Sequence, residues 1–106
     1  MIIKEACVDN ISDALVAQKN GADQLEWCYC LSEDGLTPDV NLTTELLKNI
    51  FIPVKVMIRC RPGNFIYNDE EMEIMKNEVK LFSKLKGING FVFGACTNDN
   101  LSLIHI

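Results

Sequence analysis

Short apolar runs alternate along this chain with stretches whose apolar positions recur at helical spacing. Residues 2–8 predict a strand, closed by Asp9-Asn10, both good helix N-cap types. A helix follows, with Ile11, Ala14, Leu15 and Gln18 on one face and Asn20-Gly21 as its stop. Gly21-Ala22-Asp23 leads into a second strand over residues 24–28. The stretch over 29–40 is rich in Ser, Asp, Gly and Pro and predicts a long loop, a kind of segment that is often functional. A second helix is expected from about residue 41 to 50, with Leu42, Leu46 and Ile50 recurring at fours. Pro53 then introduces a third strand over 54–59, followed by a loop at 61–64. Asn68 is set to cap a third helix, with Asp69, Glu70 and Glu71 at its positive end and Glu71 placed for a capping box. Met72, Met75, Val79, Phe82 and Leu85 form the apolar stripe of that helix, and Lys84, Lys86 and Gly87 close it. Residues 90–94 predict a fourth strand.

Three strand–helix units and a further strand imply an α/β fold with a parallel sheet and helices packed on it. The entries Gly21-Ala22-Asp23 and Gly87-Ile88-Asn89 look alike, which hints at a repeated unit. An open doubly wound sheet would gather its ligand contacts at one switch point, usually beside a Gly-rich turn, and no G-x-G-x-x-G is present. Polar residues at the C-terminal ends of several successive strands favour a partial (β/α)8 barrel instead, its first four strands and three helices. The chain has 106 residues, against about 250 for a closed barrel of this kind.

Composition narrows the function. Apolar residues make up 48%, enough for a packed core. The net charge of −5 argues against nucleic acid, and no apolar run approaches the length of a membrane span. The N-terminus lacks a basic region followed by an apolar stretch, so a soluble cytoplasmic protein is expected. The five cysteines, an odd number, are read as reduced thiols, and buried packing is the ordinary fate of any one of them. Cys28-Tyr29-Cys30 is a C-x-C, which suits soft metals but is a weak signal.

Strand alternation places Glu5 with Cys7, Glu26 with Cys28, and Met57 with Arg59 and, if the strand extends, Arg61. The pattern Glu-x-Cys thus recurs near the ends of two successive strands. In a barrel these side chains would converge on one rim. Thiols there could hold a soft ion such as Cu(I), arginines a carboxylate or phosphate, and a glutamate could act as a base. The competing structural account makes Glu5, Glu26, Arg59 and Arg61 a buried ion-pair network. Lys55 is expected to close a salt bridge deeper in the barrel, Trp27 and Tyr29 to pack outward under helices, and His105 has no assigned role.

Several segments together resemble the CutC family. They are residues 5–9, 21–28, 31–38, 53–61, 65–71 and 90–94, in order and correctly spaced over roughly residues 3–100. The resemblance implies a TIM-type barrel, a cytoplasmic location and a part in copper handling. It also implies Cys7 and Cys28 as Cu(I) ligands, with Glu5, Glu26, Arg59 and Arg61 as the polar barrel-mouth set. The chain departs from the family at Cys60 (usually Pro), Pro62 (usually Gly) and Asn64 (usually Asp), and Cys30 replaces a small residue, so further sulfurs are expected near the cup. After residue 100 the resemblance ends, and residues 101–106 are read as a candidate non-native tail. Three functional readings follow: Cu(I) binding, a barrel enzyme acting on a small anionic metabolite, and a fragment without function of its own. In the last, unpaired edges at strands one and four would promote self-association.

Overall fold

The computed structural model describes residues 4–64, 66–96 and 102–105. Strands β1 (Glu5–Val8), β2 (Gln24–Trp27), β3 (Val54–Met57) and β4 (Ile88–Cys96) alternate with helices α1 (Ile11–Lys19), α2 (Val40–Leu47) and α3 (Asp69–Phe82). A turn of 3-10 helix, Leu31–Glu33, interrupts the long loop, and a fifth strand β5 spans Ser102–His105. The predicted order of elements is borne out, and the start of the first predicted strand lies outside the described residues.

Strands β1 to β4 pair in parallel and in chain order. An open doubly wound sheet would reverse its order at a switch point. Sequential order with right-handed crossovers stacks every helix on one face, as in a barrel wall. One edge differs from expectation: β4 is not free but pairs antiparallel with β5, joining Gly94 to Ile104 and Ala95 to Leu103.

Helix starts follow local chemistry. Asn10, Asp39 and Asn68 each accept a hydrogen bond from a backbone N–H three residues on, at 2.7, 2.9 and 2.8 Å. At Asn68 the box closes, because its own N–H donates to Glu71 Oε1 at 3.0 Å. Such caps each contribute about 1 kcal/mol. The alike strand entries do the same work twice. Asp23 Oδ2 accepts from Lys4 N at 2.7 Å, just before β1, and Asn89 Oδ1 accepts from Val54 N at 3.2 Å, at the start of β3. Gly21 and Gly87, two residues earlier, both reverse the chain with positive φ. Asn89 is the extra residue of a bulge, since Val54 pairs with Ile88 and Lys55 with Gly90.

Leu25, Trp27, Val54, Val56 and Ile58 turn to the helix layer and form a core with Ala14, Leu46, Met75 and Phe82. The Trp27 indole, fully buried, donates from Nε1 to Thr43 Oγ1 at 2.9 Å. Thr43, not Leu42, therefore joins Leu46 on the inward face of α2, and Leu42 is exposed. Leu15 on α1 and Tyr29 after β2 are likewise exposed rather than packed. At Tyr29 the ladder has already left the sheet: it pairs with Leu36 across its own loop. Helix α3 stops at Phe82, earlier than its lysines suggest, because Ser83 Oγ binds Val79 O and Gly87 reverses the chain.

Candidate functional site

The other face of the sheet carries the polar residues. Register sets Cys7 of β1 beside Glu26 of β2, and Glu26 beside Lys55 of β3. Alternation then puts Glu5 and Cys7, Glu26 and Cys28, and Lys55, Met57 and Arg59 on this one side. Cys7 Sγ donates to Glu26 Oε2 at 3.5 Å. Glu5 Oε2 accepts from Gln24 Nε2 at 2.5 Å and lies 3.9 Å from the Lys55 ammonium, the deep salt bridge expected of Lys55. One ligand atom each from Glu5, Cys7 and Glu26 lies within 4.8 Å of the others.

Electrostatics favour the protonated forms of Glu26 and Cys7. Burial raises the Glu26 carboxyl above its ordinary value, and neighbouring Glu5 adds to the effect, while Cys7 and Lys55 oppose it. Burial and then Glu26 raise the Cys7 thiol. A cation entering here would reverse both effects, because it favours every ionised donor. The second cysteine is placed otherwise. Cys28 is 2% exposed, and its thiol is pushed up to about 12, first by burial and then by Asp9. Its Sγ donates to the Val8 carbonyl at 3.5 Å, and Gly35 sits directly over it.

The two arginines do not share the cup. Arg59 is buried, and its guanidinium donates to the carbonyls of Glu33 at 2.7 Å, Gly35 at 3.4 Å and Gly63 at 2.7 Å. Arg61 turns away altogether. It forms a bidentate pair with Glu71 at the start of α3, donates to Ile66 O at 2.6 Å and stacks 4.9 Å from the Tyr67 ring. The predicted common facing fails because β3 ends at Met57, two residues before Arg59, whose N–H goes instead to Thr37 Oγ1 at 2.7 Å. The extra sulfurs diverge as well. Cys60 packs against the helix-side core, Cys30 Sγ lies 3.3 Å from Ser32 Oγ, and the Cys96 side chain lies outside the described residues.

Two contributors escaped the sequence reading. Asp9 is a cap type, but Asn10 takes that role, leaving Asp9 to accept from Leu31 N at 3.0 Å beside Cys28. Gly35 covers Cys28 with φ +91°, a conformation its place in a Gly-containing loop could have suggested. An apolar cleft of about 340 Å³ between Ile58 and α3, rimmed by Lys76 and Lys80, belongs to the helix side and holds none of these donors. Among the described residues, no helix is long and apolar enough to cross a membrane.

Comparison with known proteins agrees with this architecture. The model of the CutC family matches residues 2–104. The human copper homeostasis protein cutC homolog is 45% identical over 97 residues, which are 92% of this chain and 35% of that protein. A CutC family protein of Histophilus somni is 42% identical over 104 residues, 95% of this chain and 42% of that protein. The crystal structure of CutC from Streptococcus agalactiae superposes with a TM-score of 0.83 at 34% identity, covering 93% of this chain and 48% of that one. The chain therefore spans less than half the length of each of these relatives, and its fold is a partial TIM barrel.

Proposed function

The chain belongs to the CutC family, and on that footing we propose that it handles copper in the cytoplasm, with Cys7 as the principal ligand and copper as cargo. The observation that carries this reading is the convergence of Glu5, Cys7 and Glu26 from two neighbouring strands. The names of the relatives supply the metal: the human and Drosophila melanogaster homologues are both called copper homeostasis proteins.

The donor set tests the fit. One thiol and two carboxylates make a mixed soft and hard site, whereas Cu(I) prefers sulfur. Cys28, on the same face as Cys7, is the second sulfur that would make the set suit Cu(I). Free thiols of this kind persist in a reducing compartment. In this reading the 106 residues form the N-terminal portion of a barrel, and the strands that relatives carry beyond it would complete the cup. An enzyme acting on a small anion would need Arg59 and Arg61 to hold the substrate. Terminal nitrogens of both already bond main-chain carbonyls, so the copper reading has the better support.

The test is a Cu(I) titration under reducing conditions against a competing chelator. Cys7→Ser should weaken binding by about tenfold or more, which corresponds to about 1.4 kcal/mol. Equal affinities for wild type and variant would remove the proposal.

A further inference from the structure

We propose that the loop over residues 30–37 is a lid over Cys28, latched shut by Arg59, and that its opening governs access to the second sulfur of the cup.

The loop covers the thiol directly. A Cβ on Gly35 would lie 3.5 Å from Cys28 Sγ and 3.4 Å from Met57 Cε, ordinary van der Waals contact, so the loop backbone packs over the thiol, and its φ of +91° is what favours glycine there. Its tip makes little apolar contact: Leu31, Ser32, Glu33 and Asp34 are all exposed. Its backbone is strained, since Cys30 and Asp34 hold φ of 53° and 65°, in the left-handed region that side chains other than glycine resist. Segments with few buried contacts and stored strain open at lower free energy than the core around them.

Polar latches hold it closed. Arg59 is the chief one, because one guanidinium ties Glu33 and Gly35 in this loop to Gly63 in the next. The Arg59 backbone adds two bonds to Thr37, and Asp9 adds one to Leu31 N. Arg59 is thus a positioning residue: it holds the cover and does not touch the Cys28 sulfur in any bond described. An open lid would uncover Cys28 beside Glu26 on the face that Cys7 shares with Glu5, a set of two thiols and two carboxylates suited to a thiophilic cation. That consequence rests on the copper reading above, whereas the lid itself does not.

The experiment uses the full chain with Cys30, Cys60 and Cys96 changed to Ser, alkylated with iodoacetamide and followed by mass spectrometry without metal. Cys7 should react first, and Cys28 slowly, at a rate nearly independent of low urea, as expected for local opening rather than global unfolding. Arg59→Lys keeps the charge but loses the fork, and should raise the Cys28 rate by about tenfold or more while leaving Cys7 unchanged. An unchanged Cys28 rate in a folded Arg59→Lys protein would overturn the lid. So would a wild-type Cys28 rate that climbs with urea in step with global unfolding, a measurement that needs no variant to fold. A failed copper titration alongside slow, Arg59-dependent alkylation would sink the copper reading and leave the lid standing.

Discussion

The two faces of the sheet are built from the same three strands and differ at every alternate residue. Toward the helices, Leu25, Trp27, Val54, Val56 and Ile58 are sealed from solvent and meet a complete layer of partners. Toward the other side, Glu5 and Cys7 are exposed, and Glu26 and Lys55 only half-buried. The first face is finished by elements within the chain. The second carries charge that packing does not require, which is why its chemistry is read as purpose and not as support.

Substitutions should expose this contrast. Trp27→Ala removes a fully buried ring and should cost about 3–5 kcal/mol in urea denaturation followed by circular dichroism. Thr43→Val leaves the Trp27 N–H buried without its acceptor, and a loss of about 1–3 kcal/mol is expected in the same assay. Lys55→Met on the polar face should change stability by less than about 1 kcal/mol, because its bridge to Glu5 is long and part-exposed. A loss from Lys55→Met as large as that from Trp27→Ala would erase the distinction between the faces.

The smallest effects concern two glutamates of α3, on the helix side. The Arg61 guanidinium holds Glu71 below the ordinary value of 4.5, so its contribution is complete above the unfolded-chain value and is lost as pH falls through the lower folded one. Glu78 has the opposite sign. Burial raises its carboxyl above 4.5 against a hydrogen bond from Thr37, so the folded state keeps the proton longer and stability declines as pH rises toward the raised value. Unfolding free energies measured from about pH 3 to about pH 6 should show Glu71→Gln flattening the acid-side loss and Glu78→Gln flattening the decline on rising pH. If the two substitutions tilted the profile the same way, one of these local environments would be misassigned.

Much of the fold was legible because its signals are local. Period-two alternation marked which residues of β1, β2 and β3 share a face, and that alone paired Glu5 with Cys7 and Glu26 with Cys28. The caps at Asn10 and Asn68, and the box with Glu71, depend on residues three apart, so they too could be read from spacing. The second helix was less clear, because the inward position of Thr43 is decided by an indole sixteen residues earlier in the chain.

Tertiary structure decided the rest of the site. Whether Arg59 and Arg61 act together depends on where β3 ends, and it ends where Thr37, brought from the preceding loop, takes the Arg59 N–H. Whether Cys28 matches Cys7 depends on the long loop folding back over it, a contact made by Gly35 and held by the Arg59 guanidinium on the carbonyls of Glu33 and Gly35. The sequence by itself determined the sheet, its faces and the repeated Glu-x-Cys pair, since those follow from the periodicity of neighbouring residues. Only the packed chain decided that one cysteine is open and the other covered, because burial is set by segments that meet in space and not along the sequence.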